Sequence, residues 1–376
     1  MKYIFIIAAF NALFFALLIF QKKKALHDKV LILWLVYLGI YAGIYALFSE
    51  TMFDNFHILS ASFISLLLLH GPFLFLYISA LTDIRFKMNL GKLVHFLPFI
   101  LFNIFLIIAS QFPGISEGIR LNHIHGIHKP IWIFNLFLIS VVLSGPFYFV
   151  LSIHSLRKLD VNIFNNFSTL ENINLSWLRK LIYTFGFIWT ALMVFATIHH
   201  VFNMFSWIFC THGLTLSLSG FIIIIGYLGL KQKEIFVNFP DTRSQFVTEE
   251  RVKYSGVVMD EEETKQYLSN LKQYMDAEKP YLNPDISLPE LARGLGISSH
   301  FLSRVINEQL GVNFFDFINQ YRVEEVKSRI KDPKFNYLSI LGIAFECGFN
   351  TKSTFNRVFK KMTGLTPKEF REQSEN

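Results

Sequence analysis

Charge is scarce in this chain. Asp, Glu, Lys and Arg make up 17% of its 376 residues, against 52% hydrophobic, and seven long runs before Lys231 contain none of the four. An ordinary soluble domain, about a quarter charged, is excluded. Cysteine is nearly absent too: Cys210 lies in an apolar run and Cys347 in a polar stretch. A disulfide-stapled scaffold is therefore excluded, and both are expected to be free, buried thiols. Neither a phosphate-binding Gly-rich loop nor a His-Glu-x-x-His zinc helix is written anywhere, and no nucleophile elbow is expected. With no carboxylate inside the apolar runs, an ion-coupled transporter is disfavoured.

What is abundant is apolar and aromatic: 43 Phe and a mean hydropathy of +0.41. The seven runs cover roughly residues 3–20, 30–48, 58–80, 93–110, 131–153, 181–205 and 207–230. Each is long enough to cross a bilayer as a helix. The first has its positive cluster, Lys22 to Lys24, after it rather than before, so it reads as a retained span and not a cleaved signal. Loops after the first, third and fifth runs hold eleven Lys and Arg, whereas the N-terminus and the other loops hold three, Lys2, Arg120 and Lys129. The positive-inside bias then places the N-terminus outside and the C-terminus in the cytoplasm.

Polar residues within the runs are few. His70, His95 and Asn103 are expected to make interhelical hydrogen bonds. His199, His200 and His212, with Asn203, fall toward the outer ends of the last two runs and are candidate ligand contacts. In an outer loop, His123, His125 and His128 are read as solvated rather than metal-bound, and no metal or cofactor is expected. The inner loop 160–180 carries an interfacial stretch around Trp177.

From Lys231 onward the composition changes: 21 basic residues balance 21 acidic ones. Residues 231–259 are polar and irregular. A helix is expected from Asp260, with Leu268, Leu271 and Met275 as a narrow apolar stripe, packing on the C-terminal domain or acting as a signalling or dimer helix. Ser287 and Glu290 form a capping box, and 313–330 is a long helix with Phe314, Phe317, Ile318 and Tyr321 on one face.

The same grammar is written twice around that helix. Ala292, Gly296, Arg304 and Gly311 correspond to Ala344, Gly348, Arg357 and Gly364; Ala to Gly is four residues in both, and Arg to Gly is seven in both. Ala to Arg is twelve in the first and thirteen in the second. In the second copy Phe355, Val358, Phe359 and Met362 make the buried stripe, while Lys352, Ser353, Asn356, Arg357 and Lys360 face outward. In the first, Leu302, Val305, Ile306 and Leu310 are buried, and Ser299, His300, Ser303, Arg304 and Asn307 face outward. This is helix-turn-helix grammar, with two reading heads for adjacent major grooves about 34 Å apart.

Residues 280–373, and above all Phe359-Lys-Lys-Met-Thr-Gly-Leu-Thr-Pro-Lys-Glu-Phe-Arg371, resemble the DNA-binding domain of AraC/XylS-type bacterial transcription regulators. The resemblance covers about a quarter of the chain. It implies that the second helix of each unit enters the major groove, with His300, Ser303 and Arg304, and Lys352, Ser353, Asn356 and Arg357, toward the bases.

The expectation is an all-α chain: a seven-helix transmembrane domain (1–230), a linker with one amphipathic helix (231–279) and a cytoplasmic double helix-turn-helix domain (280–376). It is read as a non-enzymatic membrane regulator whose partners are double-stranded DNA, the lipid bilayer and an unknown signal ligand or membrane partner. Homodimerisation is left open. The alternative is a membrane transporter or enzyme with an accessory C-terminal interaction module.

Overall fold

The computed structural model describes residues 2–21, 25–47, 56–83, 86–119, 132–169, 176–202, 207–231 and 261–375. Nearly all of these are helical; among the described residues no strand forms, and one isolated antiparallel bridge joins Phe167 to Ser287. The chain divides into two units, Met1–Leu156 with Leu175–Glu234, and Arg157–Asn174 with Ile235–Asn376.

In the first unit the helices are α1 (Lys2–Phe20), α2 (Leu26–Leu47), α3 (His57–Ser65) and α4 (His70–Thr82), the last two joined by the 3-10 turn Leu66–Leu69. They continue with α5 (Leu97–Ser110), α6 (Trp132–Asn166, whose end from Arg157 belongs to the second unit), α7 (Ser176–Phe202) and α8 (Trp207–Lys231). Among the described residues, five stretches are long and apolar enough to cross a membrane: Lys2–Phe20, Leu26–Leu47, Ile58–Thr82, Leu90–Ser110 and Trp132–Asn166. Within α8, Leu216–Leu230 is a shorter apolar segment. The junction of the sixth and seventh runs, Phe205-Ser206, lies outside the described residues.

Packing in this unit inverts the soluble pattern. In α1 the buried side chains include Ala8, Ala12 and Ala16, one turn apart, and α2 approaches α1 closely with its small residues Gly39 and Gly43 toward Leu13 and Ala9. Phe10 and Leu17 on the same helix are 65% and 56% exposed. The polar groups sit between helices. Asn103 Nδ2 donates to Ser65 Oγ (2.8 Å) while Ser62 Oγ donates to Asn103 Oδ1 (3.0 Å). His70 Nε2 lies 3.3 Å from the Tyr37 hydroxyl, and His95 Nδ1 3.1 Å from that of Tyr148. All three expected interhelical partners are thus present.

The second unit holds α9 (Glu261–Glu278), α10 (Leu288–Gly294), α11 (Ser299–Arg304), α12 (Phe314–Lys331), α13 (Ile340–Glu346), α14 (Lys352–Thr363) and α15 (Pro367–Glu375). Helix α12 is its axis. Asn313 caps it by accepting from Asp316 N at 2.8 Å. Phe314, Phe317 and Ile318 enter one core with Leu288, Leu291, Leu302 and Ile306. Phe315, Val323, Val326 and Ile330 enter a second core with Ile343, Ala344, Phe355, Val358 and Phe359. One helix thus serves two cores, where a single apolar face was expected. Leu271 and Met275 of α9 are buried in the first core, so that helix packs on the helix-turn-helix domain.

Candidate nucleic-acid interface

Each copy of the repeated grammar is a pair of helices with a capped start. In the first, Ser287 N donates to Glu290 Oε2 (2.9 Å), completing the expected capping box of α10. Ser298 Oγ caps α11 by accepting from Phe301 N (3.2 Å). In the second, Ser339 Oγ accepts from Gly342 N (3.0 Å) to start α13, and Thr351 Oγ1 accepts from Thr354 N (3.3 Å) to start α14.

The turn of the second unit needs a glycine. Gly348 has φ of 89°, and a β-carbon there would stand 2.5 Å from the Tyr281 carbonyl oxygen and 2.9 Å from Arg322 Nε. At the far end of α14, Gly364 (φ 78°) closes the helix through its N–H to the Lys360 carbonyl, 2.9 Å. Between these ends Phe355, Val358 and Phe359 are buried, and Lys352, Ser353, Asn356, Arg357 and Lys360 are exposed. The Arg357 guanidinium lies 5.9 Å from the centroid of the Phe315 ring, within cation–π range. Lys361 is engaged by Asp316 at 2.8 Å. Hydrogen bonds with Thr366 hold the Glu369 carboxyl below its usual range while Thr366 N donates to it at 2.7 Å, fixing the start of α15.

The first unit departs from expectation. Helix α11 ends at Arg304, and Val305–Gln309 is a π-turn, with one more residue per hydrogen-bonded ring than an α-helix. Ser303 is 6% exposed and accepts from Asn307 Nδ2 at 3.2 Å, so it does not face outward. Arg304 Nε binds Glu308 Oε2 at 2.9 Å, and His300 is half-buried.

The remaining candidates separate. The side chains of His199, His200 and His212, and the loop bearing His123, His125 and His128, lie outside the described residues; among the described residues no His, Cys, Asp or Glu cluster could hold a metal. Cys347 is a free thiol, buried, and burial pushes its pKa up to about 12. Gly114-Ile-Ser-Glu-Gly118 has the spelling of a nucleophile elbow, which sequence reasoning passed over. Its Ser116 ends a short helix, Pro113–Ser116, with Oγ donating to the Pro113 carbonyl (3.0 Å), not the strand-to-helix turn that chemistry requires. Sequence reasoning also missed Arg322, which is 1% exposed inside the unit. The signal was available: Asn319, Arg322 and Val326 follow Phe315 at i+4, i+7 and i+11, so two polar residues sit on an apolar stripe.

Comparison with known proteins bears on this same segment. Residues 291–373 match the family described as a helix-turn-helix domain. The C-terminal segment is an AraC-type helix-turn-helix domain. A protein of Staphylococcus aureus (strain COL), named as an uncharacterized HTH-type transcriptional regulator, is 36% identical over 101 residues, 27% of this chain and 13% of the relative. YtdP of Bacillus subtilis (strain 168), also named as an HTH-type transcriptional regulator, is 28% identical over 89 residues, 24% of this chain and 11% of the relative. The chain thus spans only about an eighth of the length of these relatives. No solved structure matches the chain.

Proposed function

We propose that the chain is a membrane-embedded one-component regulator of transcription. The AraC-type domain binds double-stranded DNA in the cytoplasm, with α14 in one major groove and α11 toward the next. Lys352, Ser353, Asn356 and Arg357 read bases or phosphates; His300 and Arg304 contribute less, and Ser303 serves packing. Arg357 is suited to pair with guanine O6 and N7. The apolar helices cross the inner membrane with the N-terminus outside, and the unit they form receives a signal. The observation that carries the reading is the capped helix α14, whose whole polar face is exposed, on a chain whose other unit exposes large apolar side chains.

The test is to crosslink the intact protein to chromosomal DNA in cells and map the sites. Discrete sites, lost with Arg357→Ala, are expected; an unchanged map with Arg357→Ala would remove the base-reading role. Reporter fusions after Lys24, Lys92, Lys180 and Lys231 should report cytoplasm and those after Phe53 and Gly126 the outside. An external signal after Lys231 would overturn the topology. His199, His200 and His212 are proposed to line an outward-facing ligand site. Replacing all three with Ala should leave DNA occupancy intact and abolish the response of a mapped promoter; a retained response removes that site.

A further inference from the structure

The unit that contains the AraC-type domain has a second, distant piece of chain in it. Residues 157–169, read from sequence as part of a polar inner loop, belong to this unit and not to the apolar one. They are buried as loops rarely are: Ile163, Asn166, Phe167, Ser168 and Thr169 are each under 5% exposed. Buried backbone must find hydrogen-bond partners, and here they come from the helix-turn-helix units. The Ser168 carbonyl accepts from Arg322 Nη1 (3.2 Å) and Asn319 Nδ2 (3.3 Å). Ser168 Oγ donates to the Ile286 carbonyl (2.7 Å) and accepts from Arg322 Nη2 (3.2 Å). Phe167 bridges to Ser287, the N-cap of α10. Phe164 meets Phe315 edge-to-face, centroids 5.4 Å apart. Asn350 Nδ2, next to the N-cap of α14, reaches Thr169 Oγ1 at 3.5 Å.

A stretch of six residues, 164–169, therefore touches the start of the first unit, the axis helix and the turn of the second unit at once. The segment is not the sole partner of the residues it touches. Arg322 keeps carbonyl partners of its own domain without it, on Tyr281 (2.8 Å), Asn283 (2.9 Å) and Pro284 (3.2 Å). It also leaves Lys352, Ser353, Asn356 and Arg357 exposed while docked, so it does not work by covering the reading face. The segment is the end of α6, a helix that begins at Trp132 in the other unit.

We propose that residues 164–169 are an intramolecular docking segment that braces the two helix-turn-helix units against each other, so that both engage DNA together. Joint engagement of two linked sites depends on their pre-set geometry, and loosening it lowers overall affinity without touching either site. Because the brace is carried by α6, it gives the apolar unit a covalent handle on DNA affinity that is independent of the 232–260 connection. The inference rests on the DNA-binding reading above, and the experiment separates the two.

The full chain is placed in lipid nanodiscs and used to select a 40-base-pair duplex from a random pool. Docking is read in the same preparation with a short thiol crosslinker joining Thr169→Cys to Asn350→Cys. The expected results are a fast intrachain crosslink and its loss when Phe164→Asp is added. In the single variant Phe164→Asp, affinity for the selected duplex should fall about tenfold, with affinity for a duplex keeping one half of the site unchanged. Ser168→Ala, which keeps the backbone contacts, should give a smaller loss in the same direction and guards against misfolding of the Asp variant. If the wild-type chain selects no duplex, DNA binding itself fails. If it selects one but no crosslink forms, or affinity is indifferent to both variants, the brace is overturned and DNA binding stands. An equal loss on the full and half duplexes also overturns the brace, because it would mean damage to a reading helix.

Discussion

The two helix-turn-helix units are written in one grammar and fold to different surfaces. In the second, α14 is regular over twelve residues, capped by Thr351 and closed by Gly364, and Lys352, Ser353, Asn356, Arg357 and Lys360 stand in solvent. In the first, α11 gives way after six residues to a π-turn, Ser303 turns inward and Arg304 is held by Glu308. The lesson is that a matched Arg in two repeats is not a matched reader. What decides is the helix around it, and that helix is set by how residues 305–309 pack.

This comparison can be broken by mutation. The largest effect is expected at the turns. Gly348→Ala must place a side chain at positive φ and against the Tyr281 carbonyl, and should cost about 3 kcal/mol of stability. Gly296→Ala, also at positive φ (68°) but facing open space, should cost about 1 kcal/mol. Denaturant titration of the full chain in detergent, read by alkylation of Cys347, checks both; equal costs would remove the asymmetry at the turns. Next comes the Arg304–Glu308 pair. Glu308→Ala removes the carboxylate that Arg304 pairs with, and the loss of a negative charge should tighten DNA binding a few-fold, with a steeper salt dependence, in a fluorescence-anisotropy titration. No change would mean that Arg304 is not restrained by the pair.

Smaller still is Ser303→Ala, which removes an acceptor for Asn307 and should cost about 1 kcal/mol of stability with no change in sequence preference. A changed preference would return Ser303 to the reading face. Last is the chemistry of Cys347. With a thiol pKa near 12, its thiolate fraction at pH 8 is roughly one in ten thousand, so Cys347 in the native chain should resist iodoacetamide at that pH until the chain is denatured. Rapid alkylation of Cys347 in native protein, located by peptide mapping, would contradict the burial.

Much of the second unit was legible because its signals are local. The stripe Phe355–Val358–Phe359, the Thr351 cap and Gly348 and Gly364 can each be read from a few residues. The capping box Ser287–Glu290 is equally local. The apolar runs were legible from composition, and helices stand over them, the fifth running past its apolar run to Asn166 into what was read as loop. What escaped depended on tertiary context. Whether Val305–Gln309 continues as α or π is a packing decision. The second apolar face of α12 was hidden because two faces on one helix cancel the one-sided periodicity that marks an amphipathic helix. The docking of Phe164 to Thr169 escaped because Asn165, Asn166, Ser168 and Thr169 have the composition of a solvated loop, and their partners lie more than a hundred residues away.

The central claim is that this chain reads DNA chiefly through the second unit, with Arg357 at its centre. The most direct test compares Arg357→Ala with Arg304→Ala in the full chain on the selected duplex at fixed salt. The account predicts a loss of about 1–3 kcal/mol for Arg357→Ala together with flattened preference at one base pair, and a loss under about 1 kcal/mol for Arg304→Ala. The reverse order, or no loss from either, would contradict it.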